Sequence, residues 1–246
     1  MTPRPRLVLV HGTRFSTTQW AGYDARIPAA ELVPIDLPGH GAKVGQPFTT
    51  EAAFEAISEG IHRDRDSDDD RPVILAGHSL GGYLATGYAA AHPDEMDALV
   101  ILGATADPAG PFTALYRGFA KAVPVIGHER LAKFTNGVMR GLGARGETAD
   151  NLPDGSAYAA LPAAWAAVMD HAGPHLLHDV TCPVVLANGQ FDQMRLHVTR
   201  YARAVEQAPV EIVTIPRATH LMPTTHPAQV AEVLAHGVEL GVKHHG

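Results

Sequence analysis

Six short apolar runs, each followed by a longer and more polar stretch, constrain the architecture of this chain more than any other feature. They are Arg6–Val10, Glu31–Ile35, Pro72–Ala76, Ala98–Leu102, Pro183–Ala187 and Val210–Ile215. Each is rich in Val, Ile and Leu and shows little alternation of apolar and polar residues. Such runs fit strands covered on both faces, which means a parallel sheet. Helical patterns lie between them, over Thr50–Arg63, Leu80–Ala91, His197–Gln207 and Ala228–Leu240. The alternation predicts an α/β fold, a doubly wound and mostly parallel sheet of about six strands. Right-handed crossovers then put helices on both faces.

One interval breaks the rhythm. Ala104–Asp179 contains no strand pattern but holds several prolines and helix-like pieces over Phe112–Ala122, Glu129–Arg140 and Ala157–Asp170. It is too long for a simple loop in a compact domain. The expected organisation is therefore a core of residues 1–103 and 180–246 with a helical lid, or cap, inserted at 104–179.

Composition removes several classes of function. Hydrophobic residues make up 46% of the 246 and charged residues only 18%, enough apolar material for a sizeable core. The net charge of −7, without clusters of Lys or Arg, argues against nucleic acid and anionic membrane as partners. The single cysteine, Cys182, excludes an intrachain disulfide and a multi-cysteine zinc site. His171, His175 and His178 have helical spacing, but Pro174 interrupts them, and no metal site is expected. The apolar run beginning at Leu7 is too short for a signal segment or a membrane span, so a soluble, cytoplasmic protein is expected.

The chemistry starts at the third apolar run. Gly77-His78-Ser79-Leu80-Gly81 follows it directly, and Gly82-Tyr83-Leu84-Ala85-Thr86 then opens a helix. A G-x-S-x-G sequence between a strand and a helix is the setting of a nucleophile held on a sharp, strained turn. The turn presents the Ser79 hydroxyl at a helix N-terminus, where backbone N–H groups and the helix dipole favour negative charge.

A serine hydroxyl needs a base, and histidine suits the task because its pKa lies near the working pH. Of 15 histidines, His220 follows the last apolar run and so falls at the same edge of a parallel sheet as Ser79. His226 is the rival, but it precedes Pro227 and reads as a helix start. The base needs a carboxylate to hold its tautomer. Asp192, after the fifth run, falls at this edge too, with Asp107 as a second candidate. The chain order Ser79, Asp192, His220 matches the order used with this kind of turn. The oxyanion of acyl transfer needs two N–H donors, assigned to Leu80 and to Thr13 in the loop after the first run. Arg14 beside it is a candidate for recognising a substrate carboxylate or phosphate.

Taken together, His11-Gly12, Asp36-Leu37-Pro38-Gly39-His40-Gly41, Gly77-His78-Ser79-Leu80-Gly81-Gly82, Gly189-Gln190-Phe191-Asp192 and His220 resemble the landmarks of the α/β-hydrolase superfamily. The resemblance implies a lid over 104–179 and a non-catalytic loop at Asp36–Gly41 that shapes the site. It also implies a sheet shortened at the N-terminus, with spatial order 2-1-3-4-5-6. The activity expected is that of a serine hydrolase on a small or medium carboxylic ester, lactone or thioester, a small-molecule acyl substrate. It needs no cofactor. Alternatives on the same scaffold are acyl transfer, C–C hydrolysis, lyase or lactonisation chemistry, or a ligand receptor retaining a slow triad.

Overall fold

The computed structural model describes residues 4–66, 68–108, 129, 130, 133, 137 and 160–246. Most of the expected lid, including the pieces at Phe112–Ala122 and most of Glu129–Arg140, lies outside the described residues.

Six parallel strands form one sheet: β1 (Arg6–Val10), β2 (Glu31–Ile35), β3 (Val73–His78), β4 (Ala98–Leu102), β5 (Val184–Gly189) and β6 (Val210–Ile215). The spatial order is β2-β1-β3-β4-β5-β6, the order that the α/β-hydrolase resemblance implies. All five strand pairings are parallel, with Val10 opposite both Ile35 and Gly77, and Gly189 opposite Ile215. The register brings the C-terminal ends of the strands to one rim.

Every residue of β1, β3, β4 and β5 is buried, which accounts for their unbroken apolar character. The two edge strands differ from the expectation of cover on both faces. In β2, Glu31, Leu32 and Pro34 are half-buried, and in β6 Glu211, Ile212 and Thr214 are exposed. An edge strand has a neighbour on one side only, so it keeps more contact with solvent than the inner strands.

Helices cover both faces. The helices α1 (Thr50–His62), α2 (Leu80–Ala91), α3 (Leu161–His171) and α4 (Val198–Ala204) supply one layer. In α1 the Thr49 hydroxyl caps the Ala52 N–H at 3.1 Å, and Ala53, Ala56, Ile57, Gly60 and Ile61 make the buried stripe. Ala53, Ala56, Ile57 and Ile61 join Val8, Val10, Leu75, Leu99 and Leu186 in one apolar cluster. The short α5 (Met222–Thr225) and the long α6 (Pro227–His245) lie at the other face. There Val230, Leu234 and Val238 meet Leu7, Leu9, Ile74 and Val100 in a second cluster. Adjacent strand residues thus point to opposite layers, as the pleat requires.

The helix expected at Thr50–Arg63 ends one residue earlier, at His62, and two others differ more. The helix expected at His197–Gln207 is confined to Val198–Ala204, and the helix expected at Ala228–Leu240 runs on to His245. Within the expected lid, Leu161, Ala164 and Val168 of α3 are buried, and Ala164 and Val168 belong to the first cluster. Cys182 is buried as well, and burial pushes its thiol up to about 12. Among the described residues no helix is long and apolar enough to cross a membrane.

Candidate active site

The site is built from loops that leave the C-terminal rim. Ser79 follows β3 directly, with φ 53° and ψ −118°, and α2 begins at the next residue. A left-handed backbone at a non-glycine residue costs on the order of 1–3 kcal/mol and persists only where the surroundings enforce it. Here the Ser79 N–H donates to the Leu102 carbonyl at 2.8 Å, and its own carbonyl accepts from Gly82 and Tyr83. The turn is too tight for side chains beside it. A Cβ on Gly77 would lie 2.2 Å from the Gly81 carbonyl oxygen, and one on Gly81 would lie 2.4 Å from that of Val10.

The other two residues come from the next loops along the rim. Asp192 lies three positions after β5, and His220 five after β6. The two loops are stitched together: Gln190 and Phe191 donate backbone N–H groups to the carbonyls of Ile215 and Ala218, each at 2.9 Å. The Arg217 N–H donates to Gln190 Oε1 at 2.9 Å. His220 Nε2 stands 2.9 Å from Ser79 Oγ, and His220 Nδ1 stands 3.1 Å from both oxygens of Asp192. A carboxylate accepts only, so Nδ1 carries the proton and Nε2 is left to accept from the Ser79 hydroxyl. Burial pushes the Asp192 carboxyl up. The hydrogen bond and charge of His220 and the Met194 N–H outweigh it and hold the group below its ordinary value. Asp192 therefore stays ionised where it touches the ring.

The loop after β1 is held from three sides. Leu37 N–H donates to His11 Nε2 at 3.1 Å, which leaves the His11 proton on Nδ1, 2.8 Å from the Gly12 carbonyl. Gln19 Oε1 accepts from the Gly12 N–H at 3.0 Å. Because the Gly12–Thr13 peptide is planar and trans, a carbonyl turned toward His11 turns the Thr13 N–H the opposite way. Leu80 is the first residue of α2, where a helix has no acceptor of its own for the N–H. Burial pulls the His11 pKa down to about 3, so the ring that holds this loop is neutral. Asp36 braces the neighbouring segment, accepting from the N–H groups of Thr17 and Ala42, each at 2.8 Å. Arg14 is half-buried with φ 70° and is engaged with other groups.

The rival residues have other partners. His226 stands at the position just before α6, and its Nδ1 lies 2.9 Å from the Thr225 hydroxyl. Asp107 is paired with Arg200, and its N–H donates to His197 Nδ1. Among the described residues no group of three His, Cys, Asp or Glu side chains is arranged to hold a metal ion.

Sequence reasoning missed Gly103 and the bracing role of Gln19. Gly103 follows β4 directly with φ 60°, and a Cβ there would lie 2.9 Å from Asp192 Oδ2 and 3.1 Å from His220 Nδ1. Its available signal is a glycine placed immediately after a strand at the rim that carries the site. Gln19 offers no such signal, because its partner lies across a loop.

Comparison with known proteins agrees with this architecture. The model of the family described as "Alpha/beta hydrolase family" matches residues 7–233. Lipase LipV of Mycobacterium tuberculosis is 34% identical over 105 residues, 42% of this chain and 37% of that protein. The pimeloyl-[acyl-carrier protein] methyl ester esterase of Neisseria meningitidis is 37% identical over 98 residues, 39% of this chain and 35% of that protein. The matched stretches thus span about a third of the length of these relatives. Among solved structures, a thermophilic esterase from Thermogutta terrifontis superposes with a TM-score of 0.76 at 22% identity, over 99% of this chain and 92% of that one. The enol-lactonase of Burkholderia xenovorans superposes with a TM-score of 0.74 at 17% identity, over 96% and 92% of the two chains. These structural likenesses speak for the fold.

Proposed function

Because this chain belongs to the alpha/beta hydrolase family, we propose that it is a serine hydrolase cleaving a small or medium carboxylic ester, lactone or thioester. The observation that carries the reading is the unbroken line from carboxylate to imidazole to hydroxyl, 3.1 and 2.9 Å long, ending on a serine held in a left-handed conformation.

In the proposed mechanism the Ser79 oxygen attacks the substrate carbonyl carbon as its proton passes to His220 Nε2. Asp192 stabilises the imidazolium that results. The N–H groups of Thr13 and Leu80 receive the oxyanion; a donor of this kind contributes about 3–4 kcal/mol in the transition state. His220 then returns the proton to the leaving alcohol or thiol, and an acyl-serine remains. Water, deprotonated by His220, releases the acid and restores Ser79. We assign Arg14 to a carboxylate or phosphate on the substrate, from its charge and its place next to Thr13. We assign 104–179 to a lid that selects among acyl groups.

The test is a panel of p-nitrophenyl esters, lactones and acyl thioesters, assayed with the wild type and Ser79→Ala. Turnover that disappears in the variant, with the melting temperature kept, is the expected result. Equal turnover in both proteins overturns the reading.

A further inference from the structure

We propose that His78 is a positioning residue: by donating from Nε2 to the His220 carbonyl it sets where the base stands between Ser79 and Asp192. The inference rests on the proposed roles of Ser79 and His220. It concerns a side chain that the mechanism above does not use.

His78 is the last residue of β3 and is 2% exposed. Its Nε2 lies 2.9 Å from the backbone carbonyl of His220, 142 residues away in the chain. A carbonyl only accepts, so Nε2 carries the proton. Among the described residues this is the hydrogen bond that ties the His220 backbone itself; the neighbouring ties fall on Arg217 and Ala218 before it and on Leu221 after it, whose carbonyl accepts from Thr224 and Thr225. The two imidazoles lie against each other, with centroids 4.9 Å apart and planes tilted by 36°. On the opposite side, a Cβ built on Gly12 would come within 2.8 Å of His78 Nδ1. The ring therefore fills the space between the Gly12–Thr13 loop and the His220 loop, in contact with both.

The unprotonated nitrogen supports the assignment. Nδ1 is buried and has no hydrogen-bond partner among the described residues. A second proton there would meet no acceptor and would place a cation against His220, which must itself become positive during the reaction. Burial, with the neighbouring His220 charge, pulls the His78 pKa down to about 3. The ring thus stays in one neutral tautomer, with its donor toward the His220 carbonyl. The side-chain bonds of His220 to Ser79 and Asp192 set the direction of its ring. The bond from His78 fixes the backbone that carries the ring, and a displacement of about 1 Å at such a site costs on the order of 10²-fold in rate.

The test compares His78→Gln, His78→Asn and His78→Phe in the full chain. The Gln amide nitrogen falls near the position of Nε2, the Asn nitrogen near Nδ1, and Phe keeps a ring without a donor. The expected result is a kcat about 10- to 100-fold lower in the Asn and Phe variants with KM changed less than about threefold, while Gln stays within about threefold of wild type. An unchanged kcat in His78→Phe, or equal losses in Gln and Phe, overturns the proposal. If Phe does not fold, the contrast between Gln and Asn decides it. A readout independent of turnover is the NMR signal of the His220 Nδ1 proton shared with Asp192. It should persist in wild type and Gln and be lost to exchange in Phe and Asn, and a signal unaltered in all four proteins contradicts the proposal. Absence of Ser79-dependent turnover in the wild type would instead strike the hydrolase reading, and the NMR comparison would still judge His78.

Discussion

The two ends of the β-sheet both gather polar side chains, and they treat them in opposite ways. Where the strands begin, full charges face each other and cancel. Arg6, nearly inaccessible, donates to the carbonyls of Ile61 and Arg63 and pairs with Glu31. Arg71 grips Asp69 and Glu31, and Asp97 accepts from the Val73 N–H at 2.7 Å. Where the strands end, the buried groups around Ser79 are neutral imidazoles and amides, with Asp192 as the carboxylate that meets the base. The backbone there is left-handed at Arg14, Ser79 and Gly103. Charges that satisfy one another leave nothing for a substrate and hold the fold together. Strained turns and N–H groups turned outward stabilise little, and they leave capacity for a reacting molecule.

Substitutions at the two ends should therefore have opposite signatures. Asp192→Asn keeps the shape but removes the charge that fixes the His220 tautomer; kcat should fall by on the order of 10³–10⁴-fold with little change in melting temperature. Steady-state kinetics beside a thermal melt would check both halves, and a loss below tenfold would blur the contrast. Gly103→Ala places a methyl group against Asp192 and His220 and strains a positive φ. It should cost about 10- to 100-fold in kcat and about 1–3 kcal/mol in stability, read by urea titration.

Acid should weaken the site end through its buried histidines. His11 and His78 have folded pKa values of about 3, below the ordinary 6.5, because burial disfavours their charged forms. Between those values the unfolded chain binds more protons than the folded one. The stability they contribute is complete above pH 6.5 and is lost as pH falls toward 3. Each ring should change the unfolding constant by up to roughly tenfold per pH unit in that window. His78→Gln should make the acid branch of a pH–stability curve shallower, and an unchanged slope would remove His78 from this account. The smallest effect is expected at the opposite end. Arg71→Gln should leave kcat unchanged and lower stability by about 1 kcal/mol, since its pairs lie at a partly solvated rim.

How much of this could be read from the chain depends on how far each interaction reaches. The strands were legible because burial on both faces leaves uninterrupted Val, Ile and Leu runs, and four of the six have the predicted ends. Ser79 was legible because its whole turn is written in five consecutive residues. Asp192 and His220 followed from their places after β5 and β6, once a parallel sheet put those ends at one rim. The exposure of β6 was not visible, because it depends on the place of the strand at the sheet edge rather than on its own residues. The bond from His78 to the His220 carbonyl, the space kept by Gly103 and the brace from Gln19 join distant segments, and no local pattern announces them. Residues 109–128 and most of 131–159, where substrate selection is proposed to reside, carry helix-like patterns but no chemical motif.

In the proposed mechanism the Ser79 oxygen takes up the acyl group. To test this, the protein is mixed with a p-nitrophenyl ester and quenched in acid during turnover, and the mass of each peptide is mapped. The expected result is an added acyl group on the peptide carrying Ser79 and none in Ser79→Ala. Continued turnover with no acyl mass on that peptide, at times shorter than one catalytic cycle, would overturn the mechanism.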